Sequence, residues 1–133
     1  MTDPPQRMRA LVSYWSYKRS DIAALWRSLH VNGQPPDLFG DSGAFSAYTQ
    51  GVQITPDDYA AWIEKWRPYL TVYANLDVIG NAKASHANLK TLEDMGFGPL
   101  PVAHTNTGTD YLKRYCAEYP YIALGGMEIG RAH

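Results

Sequence analysis

Leu38-Phe39-Gly40-Asp41-Ser42-Gly43 runs an apolar, strand-like stretch directly into an acid, a hydroxyl and a glycine. Two later stretches finish in the same way. Thr71-Val72-Tyr73-Ala74-Asn75-Leu76 closes on Asp77, and Tyr121-Ile122-Ala123-Leu124 closes on Gly125-Gly126. Polar groups and glycines at the C-terminal ends of successive strands are what a parallel α/β sheet or barrel presents to a ligand.

Between these stretches lie amphipathic helical patterns, which argues for βαβ units. Strands are predicted over residues 9–14, 38–41, 71–77, 100–104 and 121–124. Ser20-Asp21 caps a first helix whose apolar positions Ile22, Leu25, Trp26 and Leu29 recur at helical spacing. The second helix has the clearest start, with Thr55 as cap, Pro56 at the first helical position and Asp58 three residues beyond the cap. Its stripe of Tyr59, Trp62, Ile63 and Trp66 is expected to face the sheet. A third helix covers 82–95 and stops at Gly96, and a fourth begins at Thr109-Asp110 and ends before Pro120. The expected fold is α/β: parallel βα units, about five strands and four helices, forming part of a (β/α)8 TIM barrel. A complete barrel needs about 250 residues, so the 133 residues here amount to roughly half of one, read as one domain over residues 1–133.

The composition is 45% hydrophobic and 19% charged, which excludes disorder. Net charge is −1, so attraction to nucleic acid or to an anionic membrane would have to come from a local basic patch. No apolar stretch approaches the roughly 20 residues of a membrane span, and Asp3, Pro4 and Pro5 occupy the place of a signal peptide's apolar core. A soluble, cytoplasmic protein without a membrane partner is expected. The single cysteine, Cys116, permits neither an internal disulfide nor a thiolate zinc cluster. Its place among Leu112, Tyr115 and Tyr119 suggests a small buried residue. No metal-binding spacing or phosphate-binding glycine loop is present, and no cofactor is expected.

Asp41 and Asp77 end successive strands, so both carboxylates are expected in one cleft. Two neighbouring acids with separated pKa values divide general acid and base work, or read the donors on a purine-like edge. Asp and Ser before Gly are also good turn formers, and a purely structural role for Asp41-Ser42-Gly43 stands beside the functional one. His104 ends the fourth strand, either facing the same cleft or packed as a structural histidine. His30 and His86 are expected on helix surfaces. The segment 40–51, with Tyr48 and Gln50, either lines substrate or simply connects strand to helix.

Asp41-Ser42-Gly43-Ala44-Phe45 resembles the Asp-Ser-Gly-Gly-Phe-Gln element of the tRNA-guanine transglycosylases (queuine tRNA-ribosyltransferases). Gly125-Gly126-Met127-Glu128-Ile129-Gly130 is similar to that family's Gly-Gly-Leu-Ala-Val-Gly-Glu loop, and Asn75-Leu76-Asp77 falls where the family carries a base-binding aspartate. The likeness spans residues 38–130. Ala44, Ser46, Glu128 and Arg131 depart from the pattern, where the family has Gly, Gln, Ala and Glu. The resemblance implies a (β/α)8 barrel that exchanges a purine base within tRNA, or, in the related phage branch (acting in the host cytoplasm), inserts 7-deazaguanine into DNA. It implies that Asp41 moves the proton of the exchanged base and that Ser42 and Gly43 help hold it. Asp77 would accept hydrogen bonds from it, with His104 a further contact, while Gly125, Gly126 and Met127 line its plane. A guanine-like base and a nucleic acid are thus the implied partners. The family's nucleophilic aspartate, which attacks C1′ much as the carboxylate of a retaining glycosidase does, lies beyond the Gly-Gly loop and has no counterpart before His133.

An incomplete barrel exposes sheet edges and apolar surface, so a second copy or a second chain is expected to complete it. Two other functions fit the same residues: a base-binding module without catalysis, and part of an unrelated α/β enzyme.

Overall fold

A computed structural model describes residues 6–125 of the chain. Strand β1 (Arg9–Ser13) is followed by a single helical turn, α1 (Tyr14–Tyr17), and by α2 (Ile22–Ser28). Then come β2 (Asp37–Asp41), the short α3 (Ala44–Thr49), α4 (Pro56–Trp66) and β3 (Val72–Tyr73). The described part closes with α5 (Ala82–Asp94), β4 (Val102–Ala103), α6 (Asp110–Glu118) and β5 (Ala123–Leu124). No helix among the described residues is long and apolar enough to cross a membrane.

All pairings of these strands are parallel, and neighbours follow chain order. β1 pairs with β2 from Arg9–Asp37 to Ser13–Asp41, and β2 with β3 through Phe39–Val72 and Gly40–Tyr73. A parallel bridge between Ala74 and Leu100 joins this sheet to the β4–β5 pair. The fold is therefore mixed α/β with parallel strands, as expected from the alternation of patterns. The third strand is shorter than the predicted 71–77. Beyond Ala74 the backbone is held by side chains of α5: Asn88 Nδ2 donates to Leu76 O at 3.1 Å and Ser85 Oγ accepts from Val78 N at 2.8 Å. The fourth strand, predicted over 100–104, is interrupted at its start by Pro101, which has no N–H to give to a ladder.

Side-chain alternation places Val12 and Leu38 under the helices, at 1% and 0% exposure, against Ile22, Tyr59, Trp62, Ile63 and Leu92. The predicted stripe of α4 supplies the centre of this core. Burying a side chain such as Ile63 contributes roughly 1.5–3 kcal/mol. α4 starts as expected, with Thr55 Oγ1 accepting from Asp58 N at 3.2 Å and Pro56 at its first position. A smaller core of Leu89, Ala103 and Tyr115 joins α5 and α6 to β4.

Two expectations fail in this second core. α6 packs through Tyr111, Leu112, Tyr115 and Tyr119. Cys116 lies one residue, or about 100° of helical rotation, beyond the buried Tyr115, and is exposed rather than buried. His86 is not a free surface residue: it stacks on Tyr115 with ring centroids 5.7 Å apart and its Nδ1 lies 2.8 Å from Tyr115 Oη. His30 is exposed, as expected, but lies two residues beyond the end of α2 rather than on the helix.

The core and cap assignments predict unequal losses in chemical denaturation. Ile63→Ala should cost about 2–5 kcal/mol, whereas Thr55→Ala should cost about 1 kcal/mol. Comparable losses from the two substitutions would contradict the assignments.

Candidate functional site

Because the strands are parallel and adjacent, their C-terminal ends meet on one side. There a cavity of about 250 Å³ is lined by Asp41, Ser42, Asp77, His104 and Gly125, with Phe39, Phe45, Ile79 and Val102 among its apolar walls. Five positions singled out in the sequence are thus brought together. Gly43 is brought close but does not line the cavity. Gly126 and Met127 lie outside the described residues.

The Asp41-Ser42-Gly43 turn is locally self-consistent. Asp41 Oδ2 accepts from Gly43 N at 3.1 Å, and Ser42 Oγ accepts from Ala44 N at 3.2 Å. Trp15 N donates to Ser42 O at 3.1 Å, tying the turn to α1. Gly43 has φ +74, and a Cβ there would stand 2.7 Å from Trp15 Cβ. Its glycine is required by this close approach and by the left-handed backbone. The turn-forming role of the tripeptide and the exposure of Asp41 to the cavity thus coexist.

Burial pushes the Asp41 carboxyl above its ordinary value, and the negative charge of Asp77 adds to the rise. The backbone N–H groups of Gly43 and Ser42 oppose it. Asp41 is therefore easier to protonate than a solvated aspartate, which suits a group that gives or takes a proton.

Asp77 is positioned by residues that sequence reasoning missed. Asn81 caps α5 by accepting from Ala84 N at 2.9 Å, and Ser85 and Asn88 hold the backbone on both sides of Asp77. The three polar residues follow one another at helical spacing, 81, 85 and 88, on an otherwise amphipathic helix. That spacing was the available signal. Below them, Asn75 is 1% exposed and its Nδ2 donates to Ser85 O at 2.9 Å. Tyr59 is also buried and donates its hydroxyl to Ala74 O at 2.6 Å, supporting the cavity floor.

Asp77 Oδ2 lies 3.0 Å from His104 Nε2. Its other oxygen, Oδ1, is buried with no hydrogen-bond partner among the described residues. The hydrogen bond to Asp77 raises the His104 pKa, against the opposing effect of burial, and a backbone hydrogen bond to Gly125 assists. Gly125 also packs closely on the ring: a Cβ there would stand 3.3 Å from His104 Cε1. Asp41 and Asp77 are the carboxylates lining the cavity, and among the described residues no group of three His, Cys, Asp or Glu side chains is placed to hold a metal ion. Chemically, the cavity offers one acid that is easier to protonate than usual, a second carboxylate paired with an imidazole, and that imidazole, whose charged form is favoured.

The chain matches no protein-family model, no curated protein and no solved structure.

The two semi-buried histidines should titrate in opposite directions. His104, raised by Asp77, contributes stability that is complete below the unfolded value near 6.5 and is lost as pH rises through its folded pKa. His86 is lowered, first by burial and then by Arg114 and Lys90, so its contribution is present above about 6.5 and declines as pH falls. Imidazole NMR titration should give a midpoint above 6.5 for His104 and below it for His86, and Asp77→Asn should lower only the first. A His104 midpoint at or below 6.5 would break the pairing. Gly43→Ala should be more destabilising than the ~1 kcal/mol typical of point substitutions, read as a lower melting midpoint, because it adds both strain and overlap with Trp15.

Proposed function

We propose that the chain is a transglycosylase-like protein that binds a guanine-like base for exchange (7-deazaguanine insertion) in tRNA or DNA, with Asp41 as the proton-transferring acid. The observation that carries this is that Asp41, Ser42, Asp77 and His104 line one cavity beside the side-chain-free Gly125. A planar heterocycle with amino and ring N–H groups supplies hydrogen-bond donors to carboxylates brought together in this way. Asp41, with its raised pKa, is suited to the proton that must leave or join a base on exchange. Ser42 and His104 add polar contacts around the ring, and Gly125 gives a side-chain-free surface that a flat ring approaches closely.

Strand order supports a (β/α)8 sector as the scaffold. Five parallel strands follow chain order among the described residues, without the reversal that marks a doubly wound sheet. Parallel sheets are normally covered on both faces, yet Leu11 on β1 and Leu124 on β5 are 64% and 56% exposed. Covering strands from a second copy or another chain would close the barrel and bring the carboxylate that attacks the sugar.

A second function rests on the same cavity: recognition of the base without exchange. Its support is that, among the described residues, the two lining carboxylates are both assigned to the base.

Guanine and 7-deazaguanine at a hundred times Kd should stabilise the native state by about 2.7 kcal/mol, seen as a raised melting midpoint. Asp77→Asn, which removes a charged acceptor, should weaken binding by about ten- to a hundredfold, equivalent to the 1.5–3 kcal/mol of a charged hydrogen bond. Incorporation of labelled guanine into tRNA or DNA separates exchange from binding alone. A folded protein whose melting point no purine shifts would remove both functions.

A further inference from the structure

His104, the residue after β4, sits between two oxygen acceptors. Its Nε2 lies 3.0 Å from Asp77 Oδ2, on the loop after β3. The ring also makes a backbone hydrogen bond to Gly125, the residue after β5. With Nε2 facing Asp77, this second bond falls to Nδ1, and the packing is close enough that a Cβ at Gly125 would stand 3.7 Å from Nδ1. The bond raises the imidazole pKa, so the ring donates and the Gly125 carbonyl accepts. A carboxylate and a carbonyl are acceptors alone, whereas neutral imidazole carries one N–H and imidazolium two. Both bonds therefore exist together only when the ring is charged. Hydrogen bonds to a carboxylate are the stronger kind, so on deprotonation the remaining proton stays on Nε2. Nδ1 then turns a lone pair towards the Gly125 carbonyl oxygen, and the two acceptors repel.

We infer that the His104 imidazolium is a latch on the cavity, clamping Gly125 to Asp77 while the ring is charged and releasing Gly125 when it is neutral. The latch is closed at low pH and opens as pH rises through the His104 midpoint. Its control of ligand affinity rests on the base-binding function proposed above, in which Gly125 lies against the base. Gly125 has few other ties among the described residues: its N–H donates to Ala103 O at 3.0 Å, and β5 before it spans only Ala123–Leu124. A segment held by so few hydrogen bonds responds to the loss of one. Asp77 is the charge acting on the ring among the described residues. Asp41 faces it across the cavity from the end of β2, its carboxyl raised by burial and then by Asp77. Burial pushes Tyr115 of α6 up to about 12 and raises Tyr59 of α4 well above its ordinary value, so both stay neutral where an imidazole titrates.

The test is nitrogen NMR of the His104 ring, with the Gly125 amide followed in the same samples of the full chain across the imidazole range. Both ring nitrogens should carry protons at the acid end, Nδ1 should be the one to lose its proton, and the Gly125 amide should shift with the same midpoint. Guanine affinity by calorimetry should fall about three- to tenfold across that midpoint, the worth of one hydrogen bond. By reciprocity, bound guanine should raise the midpoint by about half to one pH unit. The Asp41 carboxyl carbon, followed in the same titration, separates its own effect on guanine from that of the latch. His104→Gln, whose amide does not titrate, should abolish the pH dependence of both the Gly125 amide and guanine affinity over this range. Loss of the proton from Nε2 instead, or a Gly125 amide that ignores the His104 midpoint, overturns the latch whether or not purines bind. Constant guanine affinity across a midpoint that Gly125 follows overturns its control of the site and leaves base binding standing. A coupled titration in a protein that binds no purine supports the latch and removes the base-binding function.

Discussion

Parallel pairing in chain order is the constraint from which the rest of the molecule follows. Each βα unit returns the chain to the same end of the sheet, so residues that end different strands become neighbours in space. The register from Ser13–Asp41 through Gly40–Tyr73 to Ala74–Leu100 brings Asp41, Asp77, His104 and Gly125 around one cavity, although more than eighty residues separate the first from the last. The pairing also leaves the helices on one side, where Val12, Leu38, Tyr59 and Ile63 form the main core.

Within the cavity, position decides chemistry. Asp41 and Asp77 are the same residue type, but Asp41 ends β2 whereas Asp77 lies four residues beyond β3, and their surroundings separate them. Asp41 is held by the N–H groups of its own turn and raised by burial. Asp77 is shared with an imidazole on one oxygen and, among the described residues, has no partner on the other, buried one. Environments that set two carboxylates apart allow one to carry a proton while the other accepts hydrogen bonds. The asymmetry arises from the supporting layer: α5 grips the chain around Asp77 with Asn81, Ser85 and Asn88, whereas the Asp41 turn is pinned by Trp15 against Gly43. Substituting those supports would disturb the site without touching a ligand.

The α3 segment shows how a connection acquires a face. Residues between β2 and α4 carry no long apolar pattern, and only Ala47 is fully buried on the short helix. Once that residue is seated, the helical period dictates which side chains are left exposed. Phe45 and Tyr48, three residues apart, fall along the same edge of the helix.

Local features were legible in the residues alone because they depend on neighbours in sequence. Thr55-Pro56 starts α4, Asp21 caps α2 by accepting from Ala24 N, Gly96 follows α5, and the period of Tyr59, Trp62 and Ile63 names the buried face. The run of apolar residues into Asp41 likewise marked a strand end, since a polar group there breaks the apolar pattern, whereas β3 stops at Tyr73, short of Asp77. Other features needed the folded chain. Cys116 and Tyr115 are adjacent, and only the angle at which α6 meets β4 decides which is buried. His86 becomes half-buried because Tyr115, 29 residues away, reaches it. The Asp77–His104 contact joins residues 27 apart. Sequence pattern records the period and the punctuation of each element, whereas which faces meet is set by packing between elements, and that carries no signature in any single stretch.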